Sequence, residues 1–418
     1  MAAPRAHGPS VCGLQARQGQ AGRDHRPAQD GRRCMSQAAG MISGVRIPQI
    51  RRDTSHYLVE LTSSWDDVAA RLRADMLHAH KTPFQHWHWL GAWYDAHRHD
   101  RNNAPLIAIV RDPRQHDVLA IIPLIVRYQH GARIAEFAGG ADYNAPILGS
   151  AAADHPIDPA LLWASLQQAL SAAGGCDVVR FSKMPSVIGD LPNPLASLAL
   201  ARPCAIEGHQ LIIDDDYEAH RLGRERTFRK ELERSWRVFT KHEGARFERI
   251  TDMARALHVF ATLEMQQSER MRGLGQDYAL DDKDSSAFHR DVIGRGLDEG
   301  YVVLTALTCG ETIVATLLGI CIEATYLMVR ISNAGGIWTN CSPGRLIIDR
   351  TMAALHHDGI RKFDFSVGSY DYKRRFGVTP LPLYDLVAAV NWRGRVMLAA
   401  DRIVKSWQAR VAALKPQT

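Results

Sequence analysis

The sequence has no C-x-x-C pair, no G-x-x-x-x-G-K-[ST] loop and no G-x-G-x-x-G turn. The first absence speaks against a zinc site, the other two against a nucleoside-triphosphate or dinucleotide fold. The seven cysteines are odd in number and scattered, which excludes a disulfide framework and favours a reducing, cytoplasmic setting. No metal is expected. Long apolar runs are missing too. Val118–Val126 and Ile313–Ile322 are the longest, far short of the ~20 residues that span a bilayer. No transmembrane segment is therefore expected.

Residues 1–34 lack Lys, Phe, Ile, Tyr and Trp altogether. Such a stretch cannot bury enough apolar surface to offset its ordering entropy, so residues 1–50 read as a disordered basic extension. It has no central apolar run and is not a secretory signal. A start near Met35 or Met41, with extraneous sequence ahead of it, fits this composition. The tail also explains the charge. Six Arg against two Asp place four of the six net positive charges in residues 1–34. The remaining chain is nearly neutral, which gives no indication of DNA binding.

What is present is an ordinary globular composition, 46% apolar and 23% charged, in a chain of 418 residues. That length suggests two domains. "HYLVELT", "PLIAIVRD", "DVLAIIPLIVRY" and "ARIAEFAG" read as strands. "WDDVAARLRADMLHA" reads as a helix capped by Ser63 or Ser64, and "IDPALLWASLQQALSAAGG" as a helix with Pro in its first turn and Gly at its end. "CDVVRFSKMP" follows as a strand. The second half repeats this order: helices, three consecutive strands, a Gly-ended helix, then the strand "RKFDFS". "YDLVAAVNW" is a further strand. Antiparallel strands on short turns, followed by helix and strand, indicate mixed α/β sheets rather than a doubly wound fold.

"CSPGRLIIDRTMAALHHDGIRKFDFSVGSYDYKRRFG" carries most of the candidate chemistry. Ser342 suits an N-cap, Pro343 the first helical position and Gly359 the C′ position. The helix start exposes backbone N–H groups that suit a phosphate, and Gly344 permits close approach. Ordinary helix punctuation is the plainer reading of the spacing alone. In the strand, Asp364 shares a face with Lys362 and Ser366, where it can hold an amine, act as base or orient a neighbour. Tyr372, Lys373, Arg374 and Arg375 follow. The basic helix Arg221–Lys241 has interleaved Glu and reads as a solvated face.

Taken in order, Ser342-Pro343-Gly344, Gly359, Asp364-Phe365, Gly368 and Tyr372-Lys373 resemble the signature of CelD/BcsL-type acetyltransferases. These are a branch of the GNAT acetyltransferase superfamily with FemAB-like tandem lobes. "RKELERSWRVF", "SERMRGLG", "TPFQHWHWLGAW" and "ADYNAPIL" resemble further parts of that family. The resemblance covers residues 55–395. It implies mixed α/β sheets in two tandem GNAT-like lobes, an N-terminal one at 55–200 and a catalytic one at 205–395, with a C-terminal helix over 396–418.

It also implies an acyltransferase using acetyl-CoA or another acyl-CoA. Ser342, Pro343, Gly344 and Arg345 would hold the pyrophosphate, and "TYLMVRIS" would line the pantetheine. Asp364 would orient the acceptor or take its proton. Tyr372 would protonate the leaving thiolate, and Lys373 would face an anionic group. Arg272, Asp142 and Tyr143 would shape the acceptor pocket, with Glu264 and Glu269 as reserve bases. The acceptor would be a small molecule or saccharide, with a role in exopolysaccharide or envelope synthesis. Two alternatives stand beside this: an aminoacyl-tRNA-dependent FemAB-type transferase, and a non-catalytic assembly factor of a polysaccharide synthase. tRNA is not the expected partner.

Overall fold

The computed structural model describes residues 56–100, 102–129, 131–276 and 283–413. The N-terminal extension expected over residues 1–50 lies outside them. Two mixed sheets dominate. The first runs Leu58–Thr62, Ala104–Arg111, Val118–Gln129, Ala132–Phe137, Val178–Pro185 and Leu383–Ala389 from one edge inwards. The second runs Ala245–Ile250, Val302–Cys309, Thr312–Ile322, Thr325–Asn333, Lys362–Val367, Gly208–Ile212 and Thr379–Leu381.

Both sheets are built alike. Consecutive strands pair antiparallel, then a helix crosses over and the next strand pairs parallel. In the first sheet the crossover is the Pro159–Ala173 helix, and Ala132–Phe137 runs parallel to Val178–Pro185. In the second it is Pro343–His357, and Thr325–Asn333 runs parallel to Lys362–Val367. The expected mixed α/β, two-lobe architecture is therefore present. Local signals explain the crossover in the first lobe. Asp158 accepts from the Leu161 N–H, and Gly174 takes the left-handed conformation at φ 64° that ends the helix.

Leu383–Ala389 lies within the 205–395 segment, yet it pairs antiparallel with Val178–Pro185 and so completes the first sheet. The lobes interlock further through their interiors. One hydrophobic cluster joins Trp65, Trp89 and Trp93 of the first lobe to Phe260, Phe288 and Ile293 of the second. Trp89 meets Phe288 edge-on at 4.9 Å between ring centroids. Each lobe also has its own core on the far side of its sheet.

Three local expectations differ from the structure. The charged helix is broken at Arg224 into Tyr217–Gly223 and Arg226–Phe239, because Arg224 turns inward to Asp349. The Trp-rich helix starts as a 3-10 turn, Pro83–Gln85, before Trp87–Ala96. The Tyr-Lys loop contains a short helix, Asp371–Arg375. No helix among the described residues is long and apolar enough to cross a membrane.

Candidate active site

The Lys362–Val367 strand is central to the second sheet. On one side it pairs with Thr325–Asn333, but the ladder holds only Thr325 to Lys362, Tyr326 to Phe363 and Leu327 to Asp364. Both strands run on beyond the last rung, to Asn333 and Val367, without pairing to each other. Asp364 thus stands at the point where the strands part. On its other side the strand pairs with Gly208–Ile212, and Gln210 lies opposite Asp364.

Asp364 is 2% exposed. Its Oδ1 accepts from the Tyr143 hydroxyl at 2.7 Å and from the Ser366 N–H at 2.7 Å, and its Oδ2 accepts from Gln210 Nε2 at 2.8 Å. Burial pushes its carboxyl above the ordinary carboxylate range, against the opposing pull of these three donors and of Lys362. Tyr143 is a first-lobe residue, held from behind by Gln85, whose Nε2 donates to the Tyr143 carbonyl at 3.1 Å. Gly208 lets the ring in. A Cβ there would sit 2.3 Å from the Tyr143 Oη and 2.8 Å from its Cε1.

A second contact crosses the lobes beside the first. Ser366 Oγ donates to Asp142 Oδ2, and Lys183 Nζ lies 3.9 Å from Asp142 Oδ1. Lys183 and Ser366, one from each lobe, both hold positive φ, at 56° and 62°. Two non-glycine residues in that region at one place mark stored backbone strain, which persists only where the surroundings over-determine it.

The remaining expected residues fall into two groups. Lys373 joins the site from below. It is 1% exposed, and its Nζ donates to the carbonyls of Ser366 at 3.1 Å and Val367 at 2.8 Å. That geometry shapes the strand end after Asp364 and makes Lys373 a positioning residue. Tyr372 is half-buried, packs against the second-lobe core and stacks on Tyr370 at 6.1 Å between centroids. Tyr143, not Tyr372, is the tyrosine on Asp364. Arg272 is exposed at the end of the Met253–Gly273 helix and donates to Ser268 Oγ at 3.3 Å. Glu264 is engaged by Arg290 at 2.6 Å.

At the helix start, Pro343 is buried and Ser342, Gly344 and Arg345 are half-buried. Ser342 does not cap as expected. It is left-handed, at φ 47°, and its Oγ accepts from Arg345 NH2 at 2.8 Å instead of from the helix backbone. The first-turn N–H groups are thus free of a side-chain cap. Arg345 NH1 reaches Glu231 at 2.9 Å.

Sequence reasoning missed Gly208, Gln210 and Lys183, and gave Ser366 only as a neighbour on the face of Asp364. The Gly208–Ile212 strand is five residues with two polar ones, too short to stand out. Its one signal is a glycine directly ahead of the strand pattern and eight residues before the Asp216 cap.

Residues 226–374 match the family model of an acetyltransferase (GNAT) domain. The match takes in Ser342–Arg345, Asp364 and Lys373, and leaves out Tyr143 and Gln210. The domain and the two-lobe GNAT-like fold support an acyltransferase. Among solved structures, FemX superposes with a TM-score of 0.54 at 11% identity, covering 79% of this chain and 97% of that one. L-PGS from Bacillus licheniformis gives a TM-score of 0.48 at 12% identity, over 81% of this chain and 96% of that one. A tandem GNAT protein from the clavulanic acid biosynthesis pathway gives 0.42 at 13% identity, over 80% and 99%. No curated protein matches the sequence.

Proposed function

We propose that this chain transfers an acyl group from acetyl-CoA or another acyl-CoA to an amine or hydroxyl acceptor. The observation that supports it most is the open fork between Thr325–Asn333 and Lys362–Val367. Beyond Leu327 and Asp364 the two strands no longer pair with each other, and an extended ligand would lie in the gap where they part. The residues fit that ligand at its far end too. Pro343 has no N–H to offer, so the uncapped first-turn donor is that of Gly344, and Asn333 at the end of the neighbouring strand brings its Nδ2 to 3.2 Å from a Cβ built on Gly344. Uncapped helix N–H groups suit a pyrophosphate.

Acyl-CoA supplies an activated thioester. The protein's own residues then have three tasks. Asp364 accepts a proton from the attacking group or orients it, and burial, which raises its carboxyl above the ordinary carboxylate range, makes it a stronger base than an exposed carboxylate. Tyr143 holds Asp364 in place and carries a hydroxyl beside it that can relay or donate a proton. Lys373 fixes the strand end, so that Asp364 stays at the fork. The acceptor enters between the lobes, where Asp142 offers a second carboxylate. A small-molecule or saccharide acceptor in exopolysaccharide or envelope synthesis is our reading, in a cytoplasmic setting suited to the free described cysteines.

One second reading stands beside it, an aminoacyl-tRNA-dependent transferase, for which the exposed Arg226, Lys230 and Arg234 offer a cationic face. Thermal melting in acetyl-CoA, longer acyl-CoAs and tRNA separates the two. A ligand present at 100 Kd stabilises by ~2.7 kcal/mol through mass action. A rise with a CoA thioester alone supports the first reading. A rise with tRNA and none with any CoA replaces it with the second.

A further inference from the structure

The Arg226–Phe239 helix packs against both the Gly336–Cys341 turn and the Pro343–His357 helix. It therefore lies beside the helix start that the proposed function assigns to the pyrophosphate. Arg226, Lys230 and Arg234 repeat at intervals of four on its outer face, and all three are exposed. A hollow of about 560 Å³ is lined by these three with Thr227 and Glu231. Its one carboxylate is already taken. Glu231 accepts from Arg345 and from Arg375, each at 2.9 Å. Those two contacts hold Glu231 below the ordinary carboxylate range, the Arg375 hydrogen bond first. Five cations thus surround one neutralised carboxylate, and Arg345 links them to the cofactor helix.

A hollow of this kind suits a phosphate monoester carrying close to two charges. Its reach is short. Three cations over two turns span about 12 Å, the scale of a single nucleotide, and the hollow stops before Arg237. Coenzyme A carries such a monoester on its ribose, one nucleotide away from the pyrophosphate. We propose that Arg226, Lys230 and Arg234, with Arg345 and Arg375 behind them, form a subsite for the ribose 3′-phosphate of coenzyme A. The subsite rests on the acyl-CoA reading and sharpens it. It makes the enzyme discriminate between coenzyme A and its 3′-dephospho form.

The test is calorimetric titration at fixed salt of coenzyme A, 3′-dephospho-coenzyme A and tRNA into the full chain and into Lys230→Ala/Arg234→Ala. Expected is a preference of about tenfold for coenzyme A in the unaltered protein, lost in the double variant because its coenzyme A affinity falls. Equal affinity for both coenzymes in the unaltered protein overturns the subsite and leaves the acyl-CoA reading standing. A preference that survives in the double variant also overturns it. Binding of neither coenzyme overturns both proposals. If the double variant loses tRNA binding and neither protein discriminates the coenzymes, the stripe is an RNA contact and the subsite is wrong. The comparison of ligands on the unaltered protein is decisive even if the variant folds poorly.

Discussion

Tyr143 of the first lobe donates its hydroxyl hydrogen to Asp364 of the second at 2.7 Å, across 221 residues of sequence. The contact places a residue outside the matched GNAT domain on the residue at the strand fork. It makes the candidate site a property of the two lobes together.

The first prediction follows from that bond. The Tyr143 hydroxyl pulls the Asp364 pKa down while burial pushes it up. Tyr143→Phe removes the pull, so the Asp364 pKa rises further. The acidic limb of the rate-against-pH profile should move to higher pH, with kcat lowered by about 10- to 100-fold. A profile of unchanged shape would show that Asp364 is not the titrating base.

Gly208 supplies the second. A methyl at this position would lie 2.3 Å from the Tyr143 Oη, 2.8 Å from Cε1 and 2.9 Å from Cζ. Gly208→Ala should cost about 1–3 kcal/mol as an overpacked site, read as a lower urea midpoint. Adding Tyr143→Phe should not restore it, because the ring carbons remain in the way. Full recovery in the double variant would mean that the oxygen alone causes the clash.

The third concerns the break in the basic helix. Arg224 NH1 meets Asp349 Oδ1 at 2.5 Å, with both side chains buried. Burial also pushes the neighbouring Tyr217 hydroxyl up to about 12. Arg224→Ala would leave the buried Asp349 with Arg350 alone, 3.2 Å from its Oδ2, so it should destabilise by about 1–3 kcal/mol. Chemical denaturation checks this. A loss under 1 kcal/mol would mean that water reaches the pair.

The fourth is a pH dependence of stability. Burial holds His86 down at about 2 and His289 at about 3, and nearby cations push each the same way, while an exposed histidine titrates near 6.5. Below pH 6.5 the unfolded chain binds protons that the folded chain does not. These groups favour folding fully above pH 6.5, and that contribution is lost as pH falls from 6.5 toward 3. The slope is at most ~1.4 kcal/mol per pH unit for each proton. His289→Gln should flatten the fall in melting temperature between pH 6.5 and pH 4. An unchanged slope would show that His289 is not among the groups responsible.

Much of the fold was legible because its signals are local. The Asp158 cap, the first-turn Pro159 and the Gly174 terminus delimit one crossover helix, and the alternating residues of Lys362–Val367 mark the central strand. Asp364 was also legible, as the middle residue of the polar face that Lys362, Asp364 and Ser366 form on an alternating strand. Its partners were not. Tyr143 and Gln210 reach it from 221 and 154 residues away, and no periodicity encodes such distances. Leu383–Ala389 looked like the last strand of the second lobe because it follows it in sequence. Its edge pairs with Val178–Pro185 instead. Ser342 has the composition of a cap, but its left-handed backbone turns the hydroxyl to Arg345.

The central claim is an acyl-CoA site whose acceptor end is Asp364. Calorimetric titration of acetyl-CoA into the unaltered protein and into Asp364→Asn tests it most directly. Saturable binding to both with a similar Kd, together with loss of acyl transfer in the variant alone, is the predicted result. No heat of binding to the unaltered protein would contradict the account.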